Sequence, residues 1–578
     1  MLLAAFALAL AADWLWPFRG HLSLAVMGVV SLLAIPWAFV VLKTEKLDEQ
    51  TISSLGEGSI RRTRLFHAAL VVLFVAFVSA KWLVGFRASG RAEFAASSHS
   101  YSLAIFFVVA LGLFARSLRA ARLFALVADH PARLMALSFS CVGVLGAALL
   151  SLPVSVESVT TVSLVDNLFM AFSAVCVTGL SVTNVAETYS VFGQVVLCVL
   201  MQVGGLGIMV LSAAFAIIGG QRLRVKSSAV IAQMVDASSL ASMRRTVLMI
   251  VFYTLLLEGV GAVLLHAQFQ KYPELATRAG TDMSGPGGLL WASVFHAVSA
   301  FCNAGFSNAY GGLVPFVGDQ GIVLTVASLI VLGGLGFPVL DELFRAAFTK
   351  LRRQRVPSLS LHTRISLRMT AALLGAMTLV YLVFEWRASM TELGPLDRLT
   401  AAIFQSASSR TAGFNVVDIG AMRPAVLVLT CAAMFVGACP GSTAGGIKTT
   451  TLAVLFSGMR AELRGDTPRL LNRAIPELVV RKAVGVAFLS LAIVVAASTL
   501  LLLLEPHEPL DLGFEVMSAF STTGLSTGIT PKLSVPGKLL ITLMMFIGRI
   551  GPLTLALAFS LSVKARAVAL PQERVMIG

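Results

Sequence analysis

Four glycine-centred segments are places where this chain can do chemistry with its backbone alone. They read CVTGLSVT around Gly179, FCNAGFSN around Gly305, SRTAGFNV around Gly413 and STTGLSTG around Gly524, and their glycines lie 126, 108 and 111 residues apart. A cation crossing a membrane must exchange its water shell for other oxygens, and backbone carbonyls are the usual replacement for potassium. Turning successive carbonyls inward requires backbone angles that glycine tolerates best. One such bend in each of four segments, gathered about an axis, makes a ring. A lone membrane glycine reads more simply as close helix packing. Four matched loops favour the ring.

A second landmark follows each loop: VGGLGIMVL (Gly204), LGGLGFPVL (Gly333), VGACPGSTAGG (Gly437) and IGRIGPLTL (Gly548), at 25, 28, 24 and 24 residues from the loop glycine. The third differs. Between Gly437 and Gly446 it sets Gly, Pro and Ser in close succession, which breaks a helix. Gly441 and Gly446 have the spacing of a nucleotide-binding P-loop, but Ile447 stands where that motif needs Lys, and the segment lies between apolar runs rather than after a strand. Arg549 sits inside the last apolar run. A charge there costs at least ~2.5–3.5 kcal/mol on insertion scales, so it normally faces partners or water. Lys448 either acts on the broken segment or reaches the inner interface. Glu258 lies midway along an apolar helix; the simpler reading is a carboxyl satisfied by neighbouring backbone or by a loop group such as Arg410, and the other is a proton-carrying site.

The elements that must hold these residues repeat from residue 134 onward: a long apolar helix, a short apolar segment, the glycine loop, and another apolar helix. The short segments 164–175, 289–300, 397–408 and 512–521 are about 12 residues each, roughly 18 Å of helix, which is little over half the hydrocarbon thickness. Such a half-crossing must return to its own side, and re-entrant backbone survives at membrane depth only when buried in protein or lining water. Residues 1–133 add four apolar stretches, about 2–18, 22–42, 65–86 and 100–115. The opening MLLAAFALAL lacks the basic residue of a signal peptide and reads as the first membrane helix.

Charge orients the chain. Lys43, Lys46, Arg61, Arg62 and Arg64 mark one inner linker. Arg222, Arg224 and Lys226, then Lys350, Arg352, Arg353 and Arg355, then Arg460, Arg464, Arg469, Arg473, Arg481 and Lys482 mark the later ones. The N-terminus is then cytoplasmic. The loop side carries Glu157, Asp166 and Glu187, and later Glu505, Glu508, Asp511 and Glu515, which would concentrate cations at an outer mouth. Of 578 residues, 57% are hydrophobic and 13% charged, against about 25% charged in soluble domains. The net charge of +15 follows from the inner linkers rather than from nucleic-acid binding. Six cysteines form no CxxC pair, so neither a disulfide framework nor a metal site is indicated. The eight histidines form no cluster with acids, which argues against an enzyme.

The four loops, together with GQVVLCVLMQVGGLGIM, PGSTAGGIKTTT (Pro440 to Thr451) and FIGRIGPLT (Phe546 to Thr554), resemble the Trk/Ktr/HKT superfamily of potassium transporters, in particular the KtrB- and TrkH-like membrane subunits. The resemblance covers about residues 134–565. It implies an all-α polytopic membrane protein with four helix–pore loop–helix repeats around a pseudo-fourfold pore. Four extra N-terminal transmembrane helices precede them. The units would be 1–133 (extension), 134–220, 245–350, 362–460 with a gate loop at 437–447, and 480–565. It makes Val177, Thr178, Gly179 and Leu180; Cys302, Asn303, Ala304, Gly305 and Phe306; Arg410, Thr411, Ala412, Gly413 and Phe414; and Thr522, Thr523, Gly524 and Leu525 the selectivity filter. Potassium would sit at the four glycines. Cys302 stands where a more polar residue is expected. The gate would comprise Gly437, Pro440, Gly441, Ser442, Thr443, Gly445, Gly446 and Lys448, with Arg549 holding it closed.

The resemblance further implies potassium uptake at the bacterial inner membrane without a covalent cofactor, as a homodimer with a separate cytoplasmic nucleotide-binding ring (KtrA/TrkA-like). Four glycines favour potassium. A sodium-selective or sodium-coupled member is the alternative, and an inverted-repeat solute carrier is disfavoured because all four repeats run in one direction.

Overall fold

The computed structural model describes residues 131–157, 162–218, 240–276, 286–354 and 358–551. The four apolar stretches expected ahead of residue 131, and the end of the last repeat beyond residue 551, lie outside the described residues.

The described chain is helical apart from one small hairpin, and four consecutive units share one plan. The first comprises α1 (Pro131–Leu150), α2 (Leu164–Val175), the single turn α3 (Val185–Thr188) and α4 (Val191–Ile218). The second comprises α5 (Leu240–Phe269), the turn α6 (Pro273–Ala276), α7 (Pro286–Phe301), α8 (Gln320–Leu335) and α9 (Phe337–Leu351). The third has α10 (Leu361–Glu385), α11 (Pro395–Ser408), α12 (Pro424–Phe435) and α13 (Thr449–Arg464). After the hairpin of β1 (Arg469–Leu470) and β2 (Arg473–Ala474) comes the fourth, with α14 (Glu477–Leu504), α15 (Pro509–Ser521) and α16 (Val535–Ile550).

The short helices begin where chain chemistry allows. Ser163 caps α2 by accepting from the Asp166 amide. Pro286, Pro395 and Pro509 open α7, α11 and α15, so all three start two or three residues ahead of the apolar runs. Among the described residues, Leu248–Phe269, Leu361–Glu385 and Glu477–Leu504 are long and apolar enough to cross a membrane, and α8 with α9 makes a fourth span if the bent pair is counted as one. These helices keep much of their apolar surface outside the protein core. Leu248, Phe252, Leu255, Val260 and Val263 of α5 are all exposed, which is the pattern of lipid-facing helices.

The helix after each loop does not run through as the apolar runs suggest. Interruption was expected only in the third unit; it occurs in every one. Gly207, Gly336 and Gly551 adopt φ of 91°, 86° and 89°, each three residues beyond Gly204, Gly333 and Gly548. At Gly336 the chain turns by 106° between α8 and α9. In the third unit residues 436–448 leave the helix altogether. Only glycine enters such backbone cheaply, which is why G-x-x-G recurs.

Packing closes the units into a circle. α7 packs on α4 of the unit before it, α11 on α8, α15 on α12, and α2 on α16 of the last unit. Two cores result. One joins units one and four around Phe139, Phe169, Leu197 and Phe520, and the other joins units two and three around Phe269, Tyr381, Phe404 and Phe414.

Candidate functional site

The short helices of the four units end in bends of one conformation. Val177, Asn303, Thr411 and Thr522 have φ of 57°, 59°, 74° and 52°, and the glycine two residues on in each case, Gly179, Gly305, Gly413 and Gly524, has φ of 90°, 71°, 82° and 90°. Left-handed backbone is costly for Val and Thr, at roughly 1–2 kcal/mol each. Its recurrence at one position in four loops therefore marks a built feature.

The bends meet. A β-carbon placed on Gly179 would strike the carbonyl oxygen of Ala304; on Gly305, that of Ala412; on Gly413, that of Thr523; and on Gly524, that of Thr178. The same hypothetical atom on Gly413 comes within 3.2 Å of the Thr178 carbonyl in the opposite unit. Each glycine thus faces the equivalent carbonyl of the next unit, in the order one, two, three, four, one. Side chains at the glycines would fill the centre. Buried among these bends, the hydroxyls of Thr178, Thr411 and Thr522 have no hydrogen-bond partner among the described residues. Such orphaned oxygens are costly in a dry interior and suit a dehydrated cation.

Serines that the sequence reading missed tie each bend to its helix. Ser173 Oγ donates to the Leu180 carbonyl at 2.7 Å and accepts from the Gly179 amide at 3.1 Å. Ser299 Oγ donates to the Phe306 carbonyl at 2.7 Å, Ser408 to that of Phe414, and Ser518 accepts from the Gly524 amide at 3.0 Å. The repeated Ser-Ala pair at 173–174, 299–300 and 518–519 was the available signal. In the third unit the pair recurs at 406–407 but Ser408 makes the tie, and the Ala412 amide bonds four residues back, to Ser408, where Thr178, Ala304 and Thr523 bond five back.

Cys302 and Arg410 turn their side chains away from the ring. The Cys302 thiol points to Glu258 Oε1 at 3.6 Å and Gln202 Oε1 at 3.8 Å, and Gln202 Nε2 donates to Glu258 Oε2 at 3.2 Å. The loop group beside Glu258 is therefore Cys302 and not Arg410. Arg410 Nη2 instead reaches the Gly437 carbonyl at 3.5 Å. Ala304, Leu180, Leu525, Phe306 and Phe414 are buried around the bends.

The second glycine landmarks lie under the short helices. A β-carbon on Gly204 would overlap the Val175 carbonyl, on Gly333 that of Phe301, and on Gly548 that of Phe520. These carbonyls end α2, α7 and α15, so the following helix can pass beneath the ring only with glycine at its crossing. In the third unit Gly437 faces its own loop's Gly445.

That loop, 436–448, is stitched at both ends. Gly437 N donates to the Ile447 carbonyl at 2.9 Å, Ile447 N to Phe435 at 3.2 Å, and Thr449 N to Ala438 at 3.1 Å. It also leans on the second unit: Cys439 N donates to the Gly334 carbonyl at 3.0 Å, and Phe337 N to that of Gly441 at 3.1 Å. Gly336 lies against the Pro440 carbonyl, with Ser442 beside it, and Gly445 against Thr522 at the ring. Gly441 and Gly446 take left-handed φ of 72° and 64°. Lys448 Nζ donates to the Ala444 carbonyl at 2.6 Å. Arg549, 7% exposed, donates from its two terminal nitrogens to the carbonyls of Thr443 in this loop and of Gly204 in the first unit. A helix, not a strand, precedes the loop, so it is no P-loop.

Residues 97–568 match the family model described as TrkH, a cation transport protein. The chain belongs to the TrkH family. This TrkH-family chain is 35% identical over 433 residues to the Ktr system potassium uptake protein B of Bacillus subtilis, covering 74% of the chain and 93% of that relative. It is 35% identical over 458 residues to the potassium/sodium uptake protein NtpJ of Enterococcus hirae, covering 78% and 97%. The crystal structure of the potassium transporter TrkH from Vibrio parahaemolyticus superposes with a TM-score of 0.60 at 19% identity, over 85% of this chain and 97% of that one. The TrkH family is one of membrane cation transporters, not enzymes.

Two of the acids expected at an outer mouth of this TrkH-family chain are used internally. Glu505 accepts from the Ser534 amide at 2.9 Å and from its hydroxyl, and Glu515 accepts from Ser526 and from Thr530 Oγ1 at 3.0 Å. Both are buried. Asp166 is paired with Lys538 at 2.7 Å. Glu508 remains exposed. Glu505 and Glu515 thus hold loops in place, because a carboxylate accepts several amide and hydroxyl hydrogens at once.

Proposed function

We propose that this chain carries potassium across the bacterial inner membrane through the ring formed by Gly179, Gly305, Gly413 and Gly524, as a pseudo-fourfold pore built from four helix–loop–helix repeats. The observation that carries the reading is the cyclic placement of the Thr178, Ala304, Ala412 and Thr523 carbonyls, each against the glycine of a neighbouring unit. Oxygens held at fixed spacing replace the hydration shell of an alkali ion. The C-terminal ends of α2, α7, α11 and α15 add negative dipole ends near the ring. The residues of the four bends form the filter, with Cys302 and Arg410 supporting it from behind. The segment 437–447 is the gate, and Arg549 holds it under the ring.

The relatives support the cargo: one is named for potassium uptake and one for potassium and sodium. The second of these names favours a runner-up in which sodium is carried or coupled. The names of the Ktr relatives place them in a system, which supports a separate regulatory subunit. A homodimer with a cytoplasmic nucleotide-binding ring, a cytoplasmic N-terminus and a four-helix extension at residues 1–133 complete the proposal.

Growth rescue of a potassium-uptake-deficient bacterium at low potassium tests it, together with rubidium and sodium flux into liposomes. Rescue by the parent, with a raised sodium-to-rubidium flux ratio in Gly179→Ser, is expected. Folded protein that carries neither rubidium nor sodium in liposomes overturns the proposal, and carriage of sodium alone establishes the runner-up.

A further inference from the structure

Helix α9 leaves the body of the protein with no described element covering its outer half. Val339 and Leu340 at its start are buried, while Arg345, Phe348, Lys350, Leu351, Arg352 and Arg353 at its far end are exposed. Phe348 is 54% and Leu351 80% exposed, three residues apart and therefore on one face. Phe344, one turn earlier on that face, stacks on Tyr253 of α5 at 4.9 Å between ring centroids. The stripe thus continues from α5, whose Leu248, Phe252 and Leu255 are exposed apolar residues.

The charges on α9 are not balanced. Asp341 is taken by Arg345 at 2.7 Å and by the Tyr253 hydroxyl at 3.0 Å. Glu342 accepts from the Ser360 amide at 2.6 Å and from the Ser360 and Thr363 hydroxyls. Lys350, Arg352 and Arg353 pair with no acid among the described residues. The Arg352 guanidinium lies over the Phe348 ring, 4.3 Å from its centroid, so cation and apolar group occupy one edge of the helix. The 106° turn at Gly336 sets α9 nearly at right angles to α8. For a helix that follows a membrane crossing, that direction is the plane of the bilayer surface.

We propose that α9 lies in the inner interface of the membrane and binds anionic phospholipid. Phe348 and Leu351 insert among the acyl chains while Lys350, Arg352 and Arg353 engage the headgroup phosphates. The inference rests on the chain crossing a bilayer but not on which ion it carries. An apolar stripe flanked by basic side chains is the composition of an interfacial helix, and clustered Lys and Arg at a bilayer surface select negative lipid. The bend at Gly336 touches Pro440 of the broken loop, so lipid bound to α9 is one helix away from the proposed gate.

The test is Phe348→Trp in the full-length protein, reconstituted in vesicles of brominated phosphatidylglycerol or brominated phosphatidylcholine. Quenching is read as the difference from the parent's six tryptophans. Quenching several-fold stronger in the brominated phosphatidylglycerol is expected, with the preference lost when Lys350, Arg352 and Arg353 are all changed to Gln. Absence of quenching by either lipid, as when a second copy or a soluble protein covers the helix, overturns the proposal. Equal quenching by both lipids overturns its anionic selectivity and so the proposal as stated. Leu351→Trp reports from the same face should Phe348→Trp fail to reconstitute. The readout needs no flux, so a failure here is distinguishable from a failure of the potassium reading.

Discussion

Gly524 lies so close to the carbonyl oxygen of Thr178 that a methyl group on its α-carbon would overlap that oxygen. The contact joins the last repeat to the first, as does the hydrogen bond from Arg549 to Gly204, which spans 345 residues. It closes the circle that the other three loops begin.

The closure makes Gly524→Ala a sharp test. Its side chain would meet backbone, which cannot swing aside. Gly528 has a similar φ of 94° but nothing within 4 Å of its hypothetical β-carbon. Rubidium flux per reconstituted molecule should fall by well over tenfold in Gly524→Ala and by far less in Gly528→Ala. Equal losses would mean that backbone strain, and not the ring, is what the substitution disturbs.

Arg549 donates to carbonyls in two different units. Hydrogen bonds from a charged donor contribute about 1.5–3 kcal/mol each, and about 1.4 kcal/mol is tenfold in an equilibrium. Arg549→Ala should therefore raise resting flux about ten-fold or more, and Arg549→Lys should fall between the two. Stopped or unaltered flux in folded protein refutes a holding role.

Thr178 presents a buried hydroxyl without a partner. Thr178→Val keeps the shape and removes an oxygen whose burial costs about 1–3 kcal/mol. Thermal stability without ions should hold or rise, while the rubidium concentration for half-maximal flux rises several-fold. A fall in stability with unchanged transport would show that the hydroxyl is structural.

Glu258 is the shared acceptor for Gln202 and Cys302. Glu258→Ala leaves both without it and opens a cavity behind the second bend, so melting should occur several degrees lower. Potassium-over-sodium selectivity should weaken as well. A variant as stable as the parent, with transport that no longer responds to pH, would favour the proton-carrying reading instead.

Gly548 crosses beneath the Phe520 carbonyl, whereas Gly259 and Gly375, also helical, have open space around them. Gly548→Ala should abolish assembly of monodisperse protein, as judged by size exclusion in detergent. Gly259→Ala and Gly375→Ala should be neutral or stabilising by up to about 1 kcal/mol. Tolerance at Gly548 would mean that α16 can move away from α15.

Much of this was legible in the chain. The four glycines, the second landmark glycines and Arg549 are conspicuous because each breaks a local preference: glycine in apolar helices, charge in a membrane run. The serines beneath the bends were not conspicuous, because Ser is ordinary in a short helix and its partner is a carbonyl with no side-chain signature. The internal use of Glu505 and Glu515 was hidden for the same reason. An acid in an outer loop looks alike whether it attracts ions or ties Ser534 or Ser526 in place.

By itself the sequence determined the membrane class and the places where the backbone bends, since hydropathy, helix length and glycine's freedom at positive φ are local properties. Only the tertiary structure decided that Thr178, Ala304, Ala412 and Thr523 face neighbouring glycines in cyclic order, that Cys302 and Arg410 turn outward, and that Arg549 reaches Thr443. The cyclic contacts and the reach of Arg549 join residues more than 100 apart, and even the Cys302–Glu258 and Arg410–Gly437 contacts span 44 and 27 residues, so no local pattern records which surfaces will meet.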